Sequence, residues 1–328
     1  MIPGAERIWE LSRAFQPSRV LLTGVELGVF AALGTGARTS ADVAEQIGTD
    51  ARATDRFMNA LAALDLLCKD GDLFTNSPDA DEYLVPGRPD YVGDGLMHIV
   101  NLWGSWSTLT AAVRAGTSVC QLDDQAMAAH TKSFIAAMHL IGSSQAGEVV
   151  KQLDLSGVRR VVDVGGGSGA YSIEFCRAKP DIEAVVFDLP TVVPLTEEYV
   201  KRARMSARIT AASGNFTSDE LGRDFDLAFL SQVLHSNSPD ENLALFKRCH
   251  RALNPGGQMV IQEFVVDENR SSPASHVLFA LNMLVATRAG DTYTESEIRE
   301  WLSAASFEDT RRIDPPGTNT TLLVARNA

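Results

Sequence analysis

From about residue 158 the chain alternates short β-rich runs with helical stretches, and the first junction carries three consecutive glycines. VRRVVDVG reads as a strand, SGAYSIEFCRAKP as a helix, IEAVVFDLP as a strand and TVVPLTEEYVKRARM as a helix. ARITAASGNF, DFDLAFLSQVL, DENLALFKRCHRAL and GQMVIQEFVV continue the alternation. Strands that alternate with helices predict a parallel sheet covered on both faces. The terminal TRRIDPPGTNTTLLVARN differs, since two strands flank a Pro-Pro-Gly turn with no helix between them. The expected class is therefore α/β, a doubly wound Rossmann-like sheet with a closing antiparallel hairpin.

The junction Asp163-Val164-Gly165-Gly166-Gly167-Ser168-Gly169 is the candidate ligand loop. Glycines permit positive φ and let a ligand approach the backbone without meeting a Cβ. In an open parallel sheet such a loop lies at the carboxyl edge, where ligands bind. Gly165, Gly167 and Ala170 satisfy the dinucleotide pattern G-x-G-x-x-A. Asp188, ending the second strand, suits ribose hydroxyls in a dinucleotide and in S-adenosylmethionine alike. Asp163 helps to separate the two: a carboxylate suits the cationic amino group of a methionine moiety better than it suits a pyrophosphate.

Residues 1–150 read as a helical domain and 151–328 as the sheet domain. In TSADVAEQIG, Thr39 or Ser40 caps a short helix that Gly48 ends. ATDRFMNALAALDLL follows with Phe57, Leu61 and Leu64 on one face, and KDGDLFTNSP forms a two-stranded wing turning at Asp70-Gly71. This is a winged-helix outline. Residues 1–90 hold 8 Lys+Arg against 14 Asp+Glu, and the whole chain has a net charge of −13. DNA reading needs phosphate-neutralising cations, so neither nucleic acid nor an anionic membrane is an expected partner. No run reaches the ~18–20 apolar residues of a membrane helix. The four cysteines form no CxxC pair and no metal site is readable, and the N-terminus has no secretory succession, so the cytoplasm is the expected location. The helices within 91–150 are rich in Trp, His, Met and Phe, a composition suited to a core or to roofing a flat aromatic ligand; His130 and His139 are candidates to face it.

With these motifs in place, the chain resembles the small-molecule O-methyltransferases typified by caffeate, acetylserotonin and bacterial polyketide-tailoring enzymes. The likeness spans nearly the whole sequence: PSRVLLTGVELGVFAAL, the winged helix, DVGGGSG, FDLP and LHSNSPDENLALFKRCHRALNPGGQMVIQEF occur in order. It implies S-adenosyl-L-methionine as cofactor, a small-molecule methyl acceptor, and a homodimer in which the N-terminal domain dimerises and contributes to the substrate pocket. Gly165, Gly167 and Leu189 then face the cofactor, Asp188 of FDLP meets the ribose, and Asn215 and Phe216 of SGNF hold the adenine. Ser231 falls where plant members carry a lysine near the cofactor.

The same resemblance makes His235 the catalytic base and Glu263 the acid that orients it. Both residues lie just past the ends of neighbouring predicted strands, on the edge that carries the glycine loop. A phenol with pKa near ~10 is protonated at neutral pH, so a neutral imidazole beside it has a proton to remove. Ser236 and Asn237 replace the Asp and Trp that usually follow the histidine, and Thr292 stands where plant members have a second catalytic Glu. These departures keep open an alternative in which the cofactor is bound but methyl transfer has been lost to other chemistry. A winged-helix DNA-binding protein is the remaining non-enzymatic reading.

Overall fold

The computed structural model describes residues 4–120 and 124–328, the side chains of 124–127 excepted. Its contacts divide the chain into two compact units, up to Trp103 and from Gly104 onward. The change of sequence texture puts this boundary at 150. The contacts place residues 104–150 with the sheet instead, because Ala146, Val149 and Val150 share a core with Val161, Val186 and Phe229.

The first unit opens with α1 (Glu6–Arg13), α2 (Phe15–Leu27) and α3 (Val29–Leu33). It continues with β1 (Arg38–Thr39), α4 (Ser40–Ile47), α5 (Ala51–Ala63), β2 (Leu67–Asp70) and β3 (Leu73–Asn76). Then come α6 (Pro78–Leu84) and α7 (Gly93–Ser107), which carries the chain into the second unit. Thr39 and Asp42 form a capping box, each side chain accepting from the other's N–H at 3.2 Å, and Gly48 ends α4 with φ +70°. β3 pairs antiparallel with both β1 and β2, which completes the expected winged helix. Asp70 pairs with Leu73, so the wing turns at Gly71-Asp72, one residue later than expected. Thr54, Met58 and Leu61 form the buried face of α5. Phe57 and Leu64 are only half-buried.

The second unit comprises α8 (Leu109–Ala115), α9 (Asp124–Lys151), β4 (Arg160–Val164), α10 (Ala170–Ala178), β5 (Glu183–Asp188), α11 (Val193–Arg202) and β6 (Ile209–Ser213). After these come β7 (Phe225–Ser231), α12 (Pro239–Ala252), β8 (Leu253–Glu263), α13 (Ala274–Ala286), α14 (Glu295–Ala304), β9 (Phe307–Ile313) and β10 (Thr321–Asn327). The seven strands run β6-β5-β4-β7-β8-β10-β9. β4 to β8 are mutually parallel, whereas β10 runs antiparallel to both β8 and β9. The terminal pair is thus the expected antiparallel closure, with β10 seated between β8 and β9.

The parallel strands are apolar on both faces because both are buried. Val162, Val164, Ala228, Leu230, Met259 and Ile261 face a core completed by Leu245, Phe246 and Cys249 of α12 and by Ile298 and Leu302 of α14. Their neighbours Val161, Leu227, Phe229 and Val260 face α9 and α10 on the other side. The chain leaves β4 for β5 and β6 on one side and returns through β7 to β8 on the other. That reversal opens a crevice at the carboxyl ends of β4 and β7. No helix among the described residues is long and apolar enough to cross a membrane.

Candidate active site

The glycine loop leaves β4 at this crevice. Gly165 takes φ +67°, and a Cβ there would stand 3.0 Å from Val233 and 3.4 Å from Phe216. At Gly166 a Cβ would lie 2.5–2.7 Å from the Asp163 carboxyl atoms. Any side chain at 166 would therefore displace the acid beneath the loop. The Gly165 N–H donates to Phe187 O (2.8 Å) and the Gly167 N–H to Asp188 Oδ2 (2.8 Å). Asp188 Oδ1 accepts from the Leu189 N–H (2.7 Å). Each Asp188 oxygen is left with a lone pair for further donors.

Asp163 is buried, and its Oδ2 accepts from Ser172 Oγ at 2.7 Å. Its Oδ1 has no hydrogen-bond partner among the described residues. Burial, with the nearby Asp188 adding to it and Ser172 opposing it, pushes the Asp163 carboxyl up to about 7. A buried carboxyl oxygen without a donor, lining a cleft, is matched by a cationic N–H group. The methionine amino group of S-adenosylmethionine is such a group, and the two Asp188 oxygens suit ribose hydroxyls, so the residues present fit this cofactor.

The cleft is lined by Phe134, Ile135, Met138 and Gly142 of α9, by Asp163, Gly165, Gly166, Gly167, Ala170 and Tyr171, and by Asp188, Ser231 and Gln232. Five of the expected cofactor residues thus come together: Asp163, Gly165, Gly167, Asp188 and Ser231. Leu189 is exposed at 42% and contributes its N–H to Asp188. Phe216 lies beside Gly165 without lining the cleft. Asn215 is exposed, and its amide oxygen already accepts from the Thr217 N–H (2.9 Å) and Thr217 Oγ1 (2.8 Å). The oxygen expected to take an adenine amino proton is therefore engaged in a local turn.

Sequence reasoning missed Gln232, and it expected the α9 segment to roof an aromatic ligand without assigning it to the glycine-loop cleft. Phe134, Met138 and Gly142 recur every four residues, a helical stripe that the sequence displays without saying what it faces. Gln232 adopts φ +56° at the end of β7 and donates its N–H to Gln262 O (2.8 Å). Such backbone strain in a non-glycine residue clusters at functional sites.

His235 and Glu263 do come together. His235 sits in a 3-10 turn, Leu234–Ser236, after β7, and Glu263 is the last residue of the adjacent β8. Both are buried, and His235 Nδ1 lies 2.9 Å from Glu263 Oε1. Glu263 also accepts the N–H groups of Phe264 (2.8 Å) and His235 (3.4 Å). With Nδ1–H donated to Glu263, Nε2 is the basic nitrogen, and it makes no hydrogen bond among the described residues. The edge of Phe279 closes on the ring at 4.8 Å between centroids.

Of the two residues that replace the expected pattern after His235, Asn237 holds the turn in place. Asn237 Nδ2 donates to Asn242 Oδ1 (3.1 Å), Asn242 Nδ2 donates to Leu234 O (3.0 Å), and the Tyr293 hydroxyl donates to Asn237 O. The Asp291 N–H donates to His235 O at 3.0 Å. Thr292 is buried beside that strap and offers no titratable group. Of the histidines held as substrate-facing candidates, His139 turns to the glycine loop, 2.9 Å from Ser168 Oγ.

Comparison with known proteins shows the family. A model of the O-methyltransferase domain matches residues 109–308, and one of the O-methyltransferase dimerisation domain matches residues 9–86. The 3-hydroxy-5-methyl-1-naphthoate 3-O-methyltransferase of Streptomyces sahachiroi is 34% identical, over 94% of this chain and 92% of its own length. The tetracenomycin polyketide synthesis 8-O-methyl transferase TcmO of Streptomyces glaucescens is 32% identical, over 97% and 96%. Human N-acetylserotonin methyltransferase, solved in complex with S-adenosylmethionine, superposes with a TM-score of 0.86 at 26% identity, covering 99% of this chain and 98% of that one. The chain belongs to the family of S-adenosylmethionine-dependent O-methyltransferases that carry an N-terminal dimerisation domain.

Proposed function

We propose that the chain methylates a hydroxyl of a small aromatic, polyketide-like molecule, with His235 as general base and Glu263 as the residue that orients it. The observation that carries this reading is the buried 2.9 Å contact between His235 Nδ1 and Glu263 Oε1 at the sheet edge. The acceptor class rests on the names of the two bacterial relatives, a naphthoate methyltransferase and a tetracenomycin polyketide methyltransferase.

Asp163, Gly165, Gly167, Asp188 and Ser231 would hold the cofactor, with Leu189 and Phe216 at its margin and Asn215 offering an outward amide N–H. When bound, S-adenosylmethionine supplies a sulfonium-activated methyl electrophile. Neutral His235 accepts the acceptor hydroxyl proton at Nε2 as the oxygen becomes nucleophilic. Glu263 fixes the Nδ1–H tautomer and stabilises the imidazolium that results. General-base help of this kind contributes ~10²–10⁴ in rate, and alignment of the reacting groups supplies much of the remainder. Phe264 and Phe279, packed around the imidazole, exclude water from its flanks. We further propose that the chain acts as a homodimer through the segment matched by the dimerisation model.

Replacing His235 by alanine tests the assignment. Turnover falls ~10²–10⁴-fold while calorimetric affinity for S-adenosylhomocysteine stays within about twofold. Undiminished turnover removes His235 as the base.

A further inference from the structure

Helix α9 does more than cover the cleft. His139, next to the cleft residue Met138, turns its ring toward the glycine loop. Its Nδ1 lies 2.9 Å from Ser168 Oγ and its Nε2 3.5 Å from Ser143 Oγ, one helical turn further along. The ring also stacks on Tyr199 of α11, with centroids 4.0 Å apart and planes 29° from parallel. Three elements thus fix one imidazole.

Ser168 is buried, and its hydroxyl makes no other hydrogen bond among the described residues. It stands between Gly167, whose N–H holds Asp188 Oδ2, and Gly169, which opens α10. Both glycines take positive φ, +56° and +74°. Glycine segments surrender more conformational entropy on ordering than any other backbone, so a side chain that ties Ser168 down stabilises the loop's binding geometry. Burial, then the charges of Arg202 and Arg177, lower the pKa of His139. A neutral imidazole has one donor and one acceptor nitrogen, and a serine hydroxyl can serve either.

We propose that His139 is a positioning residue for the cofactor site, locking the glycine loop to α9 through Ser168. The proposal rests on the glycine-loop cleft being that site. His139 touches neither the reacting groups nor His235 in any described contact, so its effect belongs in cofactor affinity and not in the chemical step.

The test compares His139→Asn with His139→Gln, alongside His139→Ala and Ser168→Ala. Asparagine carries a polar atom near the place of Nδ1, whereas glutamine reaches toward the place of Nε2. Expected for His139→Ala and His139→Gln is a rise of about five- to tenfold in the Kd for S-adenosylhomocysteine, the effect of one lost neutral hydrogen bond. The KM for S-adenosylmethionine follows it, kcat at saturating cofactor stays within about twofold, and His139→Asn restores binding. In the double variant His139→Ala/Ser168→Ala the effects are not additive, because both substitutions remove one contact. An unchanged Kd, a fall in kcat without a change in Kd, or equal impairment of the Asn and Gln variants overturns the proposal. Asp188→Ala separates the two levels. If it leaves S-adenosylhomocysteine binding intact, the cleft assignment itself fails; if it weakens binding while His139→Gln does not, only the role of His139 fails.

Discussion

At the scale of single residues, Asp163 ties stability to the proposed cofactor site. Its folded-state pKa of about 7 exceeds the ordinary 3.8, so between these values the folded chain holds a proton that the unfolded chain has lost. Stability of the cofactor-free protein therefore falls as pH rises from about 4 to about 7. Asp163→Asn removes this dependence. Melting curves should show the variant gaining on the parent as pH rises from 5 to 8, while it loses affinity for S-adenosylhomocysteine; a gap that does not change with pH contradicts the burial argument. Gly290 makes a second residue-scale prediction. A Cβ there would lie 2.3 Å from His235 O, so alanine must push the turn that carries the proposed base. A displacement near an ångström costs about 10- to 100-fold in rate. Stopped-time assays of Gly290→Ala should show that loss in kcat with S-adenosylhomocysteine affinity intact. The His235–Glu263 pair was legible from sequence because the family resemblance singles out both residues and they fall at the carboxyl ends of neighbouring parallel strands. The turn that engages Asn215 was not, since Asn-x-Thr chooses its partner locally among several options of similar energy.

Among the elements, the parallel strands were the easiest to read, because burial on both faces writes near-continuous apolar runs such as VVDV and LAFL. The hairpin after α14 was recognisable too, but its insertion beside β8 was not. The registers Leu323↔Ile261 and Val324↔Val260 join residues far apart in sequence, and no local signal specifies them. Helix α9 shows the same division. Its four-residue stripe was visible, while its approach to α10 depends on Gly142, where a Cβ would lie 3.2 Å from Ala170 Cβ. Valine at 142 cannot fit that gap without parting the helices. Gly142→Val should cost about 1–3 kcal/mol, lower Tm by several degrees, and weaken S-adenosylhomocysteine binding. An unaltered Tm would mean that the contact between the helices yields freely.

For the whole molecule, the chain joins an acidic winged-helix unit to a methyltransferase sheet, and both parts match models of the same family. Ile8 and Leu11 of α1 and Phe15 at the start of α2 are exposed at 67%, 65% and 53%, a cluster of exposed large apolar side chains. Sedimentation velocity should give a dimer at micromolar concentration, and Ile8→Glu/Leu11→Glu should shift it toward monomer. A monomeric parent chain rules out the proposed assembly. The central claim, base-assisted methyl transfer to oxygen, is tested most directly by incubating the purified chain and its His235→Ala variant with S-adenosylmethionine and hydroxylated naphthoate or polyketide acceptors. Mass spectrometry of both products should show S-adenosylhomocysteine formed one for one with an O-methylated acceptor by the parent chain, and ~10²–10⁴-fold more slowly by the variant. Binding of S-adenosylmethionine without S-adenosylhomocysteine formation, or equal rates from both proteins, would contradict it.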